Sequence, residues 1–133
     1  ADRSAQDACL GAGGRVVCFV PDELTRHIPR KNVLFCSAEG YDFPFSAPRA
    51  LERNRYIHAL AEKVFVAQST LGAGGTWQGT TDNLSHGYSP VFVYDDGSDA
   101  AHAFAGCGAQ LLDGVPDSLS NLSGKQLTIF DTP

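Results

Sequence analysis

Residues 52–76, ERNRYIHALAEKVFVAQSTLGAGGT, pass from an arginine-bearing amphipathic segment through a short apolar run into a glycine-rich loop. In an α/β protein this order builds an anion site. The strand aims the loop, glycines let backbone N–H groups approach a ligand, and the following helix points its positive end at the same place. Arginines from the preceding helix add formal charge and forked donors, which suit a phosphate.

Working outward, four continuous apolar runs at 16–20, 33–36, 64–67 and 91–94 predict buried parallel strands, because strands covered on both faces lose the alternation of a half-exposed sheet. Helical patterns fall between them at 2–11, 47–62, 76–86 and 98–107. Ser46 is placed to cap the second, with Pro48 in its first turn. The segment 22–31 reads as a short helix or turn broken before Pro29. The expected fold is a Rossmann-like, doubly wound α/β domain with a mostly parallel sheet, occupying residues 1–133 as a single unit. Residues 114–133 form a weakly patterned tail, with a short helix over 115–122 and an edge strand over 126–130.

The chain has 133 residues, is 43% hydrophobic and carries a net charge of −5, which is ordinary globular usage. No apolar run reaches the roughly 18 to 20 residues that a membrane span needs, so the expected location is cytoplasmic without membrane contact. Cys9, Cys18, Cys36 and Cys107 form no C-x-x-C pair and the four histidines no H-x-x-x-H pair, so neither a disulfide framework nor a metal site is expected. Positive charge is confined to one stretch. Residues 26–63 hold seven basic against four acidic residues, whereas beyond Val64 the only base is Lys125, facing seven aspartates.

On a helical wheel of 47–62, Ala50, Ile57, Leu60 and Ala61 make one apolar arc with Arg53 and Asn54 inside it and Arg55 opposite. An arginine on the inward arc needs a partner, either a bound anion or a carboxylate such as Glu52, Glu62 or Asp42. The loop Gly72-Ala73-Gly74-Gly75-Thr76 is not a Walker loop, since no Gly-Lys-Ser/Thr follows. Nor is it G-x-G-x-x-G. A tight turn would explain its glycines equally well. Asp95-Asp96-Gly97-Ser98 reads as a turn with a Ser98 cap, and Trp77 as a core residue.

These residues resemble a known pattern. Asp2-x-x-Ala5-Gln6-x-x-Cys9-Leu10-x-x-Gly13-Gly14-x-Val16-Val17 is similar to D-x-x-A-H-x-x-A-L-x-x-G-G-x-T-I of the DNA-processing protein A (DprA, or Smf) family. Arg53-Asn54-Arg55-Tyr56-Ile57 matches its R-N-R-x-I. The run from Leu60 to Ala67 resembles its L-S-D-A-V-V-V-V, and Gly74-Gly75-Thr76 its S-G-(S/T) loop.

The resemblance implies non-catalytic binding of single-stranded DNA, handed to a recombinase in natural transformation, with possible self-association and no cofactor. It implies phosphate contacts from Arg53, Arg55, Gly72, Gly74, Gly75 and Thr76, with Asn54 bracing the loop and Asp2, Arg3, Arg49 and Thr70 as further candidates. The family's preceding strand with G-S-R is absent from this sequence, so an N-terminally incomplete domain is expected. Asp95-Asp96-Gly97 stands where the family has P-G-S.

The related Lonely Guy phosphoribohydrolases carry P-G-G-x-G-T-x-x-E, and Gly79 occupies the position of that glutamate. No catalytic residue is therefore assigned. A module that binds a nucleotide or nucleotide derivative is the alternative reading.

Overall fold

The computed structural model describes residues 2–122. It is α/β, with parallel strands in two small sheets and four α-helices, a Rossmann-like arrangement. The chain divides into two compact units, Ala1–Tyr56 and Ile57–Pro133.

The first unit contains α1 (Asp2–Gly11), β1 (Val16–Phe19), a 3-10 turn (Leu24–Arg26), β2 (Val33–Cys36) and most of α2 (Ala47–Leu60). β1 and β2 pair in parallel from Val16 opposite Val33 to Phe19 opposite Cys36. Helix α1 ends in a Schellman arrangement: the Gly13 N–H donates to the Leu10 carbonyl (3.0 Å) and the Gly14 N–H to that of Cys9 (2.8 Å). The Arg49 N–H donates to Ser46 Oγ (3.3 Å), so the serine caps α2 as its position suggests.

The second unit contains β3 (Val64–Val66), α3 (Gly75–His86), β4 (Val91–Tyr94), α4 (Asp99–Gly106) and β5 (Gln110–Leu112), with strand order β3-β4-β5, all parallel. Val64, Val66, Val91, Val93, Ala101, Phe104 and Ala109 form its core, and Ala61, Trp77, Leu84 and Leu111 pack against it. Trp77 stacks on Phe104 with ring centroids 4.9 Å apart, the packing role that sequence suggests for it.

Three sequence expectations change. β5 is an additional strand; it has only three residues and opens on the exposed Gln110, so periodicity gives it no signal. Within 115–122 the helical element is a single 3-10 turn, Leu119–Asn121, and the strand expected at 126–130 lies outside the described residues. The apolar arc of α2 is covered only in part: Ala50, Arg53, Asn54 and Ala61 are partly buried. Leu60 is 71% and Ile57 38% exposed, and the one buried residue of α2 is His58. Hydrogen bonds made by the imidazole and by its own carbonyl go with that burial.

Two substitutions test this packing. Phe104 is fully buried, so Phe104→Ala is expected to cost about 3–5 kcal/mol in denaturant unfolding followed by the fluorescence of the single tryptophan. Thr80 is fully buried and its Oγ1 has no hydrogen-bond partner among the described residues, so Thr80→Val removes a desolvated hydroxyl. It is expected to stabilise the chain by about 1 kcal/mol in the same measurement.

Candidate functional site

In the first unit, the chain leaving β2 forms the loop Tyr41-Asp42-Phe43-Pro44-Phe45 before α2. Arg49 anchors this loop. Its Nε donates to the Pro21 carbonyl (3.1 Å), its Nη1 donates to the Glu39 carbonyl (3.2 Å), and its guanidinium lies 5.9 Å from the Phe43 ring centroid. Gly40 makes the approach feasible, because a Cβ there would meet Phe43 Cδ2 at 2.7 Å and Arg49 Nη1 at 2.9 Å. The outcome is a row of aromatic rings facing water. Tyr41, Phe43 and Phe45 are 60%, 59% and 63% exposed.

Along α2, Arg53 is partly covered and its Nε donates to Asn54 Oδ1 (3.0 Å). That acceptor is neutral. Glu52, one of the carboxylates considered for Arg53, accepts instead from the Tyr56 hydroxyl (3.3 Å). Arg55 is exposed. Arg53, Asn54 and Arg55 thus share the first unit with Arg49 and the aromatic loop, as do Asp2 and Arg3 in the exposed first turn of α1. The aromatic row has no place in the sequence-based site.

The glycine-rich loop belongs to the second unit. Thr70 and Ala73 close a turn, with the Ala73 N–H donating to the Thr70 carbonyl (3.3 Å) and Gly72 at φ 74°. Gly74 then precedes α3 at φ 91° and ψ 168°, a conformation essentially reserved for glycine. It supplies no side-chain cap, and residues 70–76 are all exposed. The positive end of the helix therefore carries no side-chain cap from its N-cap residue.

At the neighbouring end of β4, Asp95 Oδ1 accepts from the Gly97 N–H (3.1 Å) and Asp96 Oδ1 from the Ser98 N–H (3.0 Å), while Ser98 Oγ caps α4 by accepting from the Ala101 N–H (3.2 Å). Hydrogen bonds from the Ser98 hydroxyl and then its N–H hold the Asp96 carboxyl below the usual carboxylate range. Asp95 Oδ1 also lies 3.8 Å from His102 Nε2. The turn explanation suffices for this acidic run. Because β3 and β4 are parallel, the glycine loop and the two aspartates share the C-terminal edge of one sheet.

At the opposite edge, where β3 and β4 begin, lies a buried polar knot that the sequence does not reveal. Asn83 Nδ2 donates to His58 Nδ1 (3.0 Å) and Ser89 Oγ (3.1 Å), and Asn83 Oδ1 accepts from the Ser89 N–H (3.0 Å). The Ser89 hydroxyl donates to the His58 carbonyl (2.8 Å). An amide nitrogen only donates, so Nδ1 accepts and the proton of the neutral ring sits on Nε2. Desolvation lowers the His58 pKa below its ordinary 6.5, against the opposing pull of Asp82.

Among the described residues, no group of three or more His, Cys, Asp or Glu side chains is placed to hold a metal ion. The four cysteines are free thiols, with Cys107 exposed and the others partly covered. No described helix is long and apolar enough to cross a membrane. No family model, no curated protein and no solved structure matches the chain.

The buried imidazole generates a pH prediction. Its folded-state pKa is depressed, so the unfolded chain takes up the proton first as pH falls. The contribution of His58 is complete above its unfolded value of about 6.5 and declines as pH drops through the depressed folded value. Comparing wild type with His58→Leu in denaturant titrations from neutral to mildly acid pH should show a loss of stability in the wild type that is shallower in the variant.

Proposed function

We propose that the chain binds single-stranded DNA without transforming it. The observation that carries this reading is the exposed row Tyr41, Phe43 and Phe45 at the start of the helix that bears Arg49, Arg53 and Arg55. Unstacked bases need flat apolar faces, and the phosphates between them need cations. A single strand offers both at nucleotide spacing, whereas a duplex hides its bases. Aromatic stacking tolerates any base, so recognition would be of strandedness, not sequence. The R-N-R-x-I match supplies the same ligand class from an independent direction, and with it a role in DNA processing beside a recombinase. The glycine loop before α3 is read as a further phosphate cradle through backbone N–H groups and the helix dipole.

A nucleotide or nucleotide derivative is the second reading, and one observation favours it at the glycine loop. Asp95 and Asp96 occupy the adjacent strand end, where their charge opposes a continuous phosphate backbone but leaves room for a single phosphate group. Catalysis is not part of either reading. Gly79, at the position of the hydrolases' glutamate, is buried in α3 and has no acid to offer.

A fluorescent oligonucleotide titrated at two salt concentrations distinguishes these readings. Affinity should fall steeply with salt, and Arg55→Ala should flatten that dependence by roughly one counterion's worth. Phe43→Ala should weaken binding by about 1–3 kcal/mol, the value of one stacked base. Affinity indifferent to salt, to Arg55→Ala and to Phe43→Ala would overturn the DNA reading. A thermal shift with mononucleotide alone, abolished by Gly74→Val, would establish the second.

A further inference from the structure

The first unit has a second exposed surface, on the side of β2 away from β1. We propose that this edge and the apolar groove beside it dock an extended segment of a partner protein, one that carries aliphatic side chains followed by carboxylates.

The backbone supplies the first argument. β2 pairs with β1 and, among the described residues, with no other strand. The Asn32 and Cys36 carbonyls accept from the Val16 and Val20 N–H groups at 2.8 and 2.9 Å, so they face β1. Residues between them in a parallel ladder alternate, which turns the peptide groups of Val33 and Phe35 to the open edge. The Val33 N–H closes back on the Arg30 carbonyl (3.3 Å). The Phe35 N–H and the Val33 and Phe35 carbonyls remain directed outward, a pattern that an added polypeptide strand matches.

The groove supplies the second. It is lined by Leu24, Thr25, His27, Pro29, Leu34 and Phe35. Ile28 is 81% exposed beside it, and Leu34 and its register partner Val17 are each 60% exposed. Apolar surface of this kind is covered favourably by aliphatic side chains.

Charge supplies the third and fixes the partner's chemistry. After β1, at the C-terminal end of the strands, the acids already have partners, since Asp22 hydrogen-bonds His27 (2.7 Å) and Glu23 pairs with Arg26 (3.0 Å). At the opposite end they are not. Arg15 directly precedes β1, Arg30 and Lys31 stand just before β2, and the register of Val16 with Val33 brings the three to one end of the sheet. All are exposed, and none forms an ion pair among the described residues. A bound segment therefore gains by ending in carboxylates there. A second copy of this edge would present the same three cations.

Nucleic acid fits less well. The walls are mostly aliphatic, and the Phe35 ring is already faced by His27 at 5.2 Å, leaving no open platform for bases.

Selection of random peptides displayed on phage against the full chain tests the proposal. Enriched sequences should combine Leu, Ile or Val with a run of Asp or Glu. Synthetic versions should bind the wild type and lose about tenfold or more in affinity with the double variant Arg30→Glu, Lys31→Glu, and with Leu34→Asp at a position already open to water. Circular dichroism checks that each variant is folded, and Arg15→Glu supplies an independent exposed site if one is not. Oligonucleotide binding by the same variants should persist, which separates this surface from the proposed DNA site.

Selection without acidic bias, or selected peptides that ignore these substitutions, would overturn the proposal. So would finding that the variants abolish self-association or oligonucleotide binding while leaving peptide binding intact.

Discussion

The carboxamide of Asn83 is the point on which the second unit turns. Fully buried, it joins three chain segments at once: the end of α2 through His58, its own helix α3, and the turn before β4 through Ser89. The Asn83 carboxamide, His58 Nδ1 and the Ser89 hydroxyl all find partners, which favours one arrangement of a buried network over its alternatives. The backbone carbonyl of the same residue accepts from the Gly87 N–H (2.6 Å) and so closes α3. Helix end, turn and strand entry are thereby set together, and the register of β4 against β3 follows. Aliphatic packing then fills the space that these bonds define.

That arrangement explains where sequence reading succeeded and where it failed. Val64–Val66 and Val91–Tyr94 are legible because every residue is apolar, β-branched or aromatic, and buried parallel strands have few other sequence signatures. The caps at Ser46 and Ser98 are legible because capping is local chemistry. The orientation of α2 is legible only in part. The wheel puts Arg53 and Asn54 on the covered side but gives His58 no role, and the burial of His58 goes with a partner 25 positions away in sequence, a polar residue on another helix. The aromatic loop carries no sequence signal of its own: Tyr41, Phe43 and Phe45 are exposed beside Arg49, which reaches back to carbonyls at Pro21 and Glu39.

On the proposed reading, two kinds of anion recognition would be encoded separately. In the first unit, cationic side chains and aromatic faces lie along α2 and the loop before it, suited to a long flexible polymer. In the second, the proposed recognition would rest on backbone geometry at Gly72 and Gly74, with aspartates nearby that would limit how much negative charge a guest brings. Side-chain recognition tolerates drift in sequence, whereas a backbone held at φ 91° does not.

The distribution of buried apolar side chains has a further consequence. Of the buried hydrophobic residues described, Val20 alone belongs to the first unit, while the other nine lie in the second. A segment with so little dry interior opens locally at a small fraction of the global unfolding free energy. The first unit is therefore the one whose amides exchange first and whose chain a protease reaches first. Any partner that covers it spends part of its interaction energy on ordering it, so association there reports on folding as much as on contact.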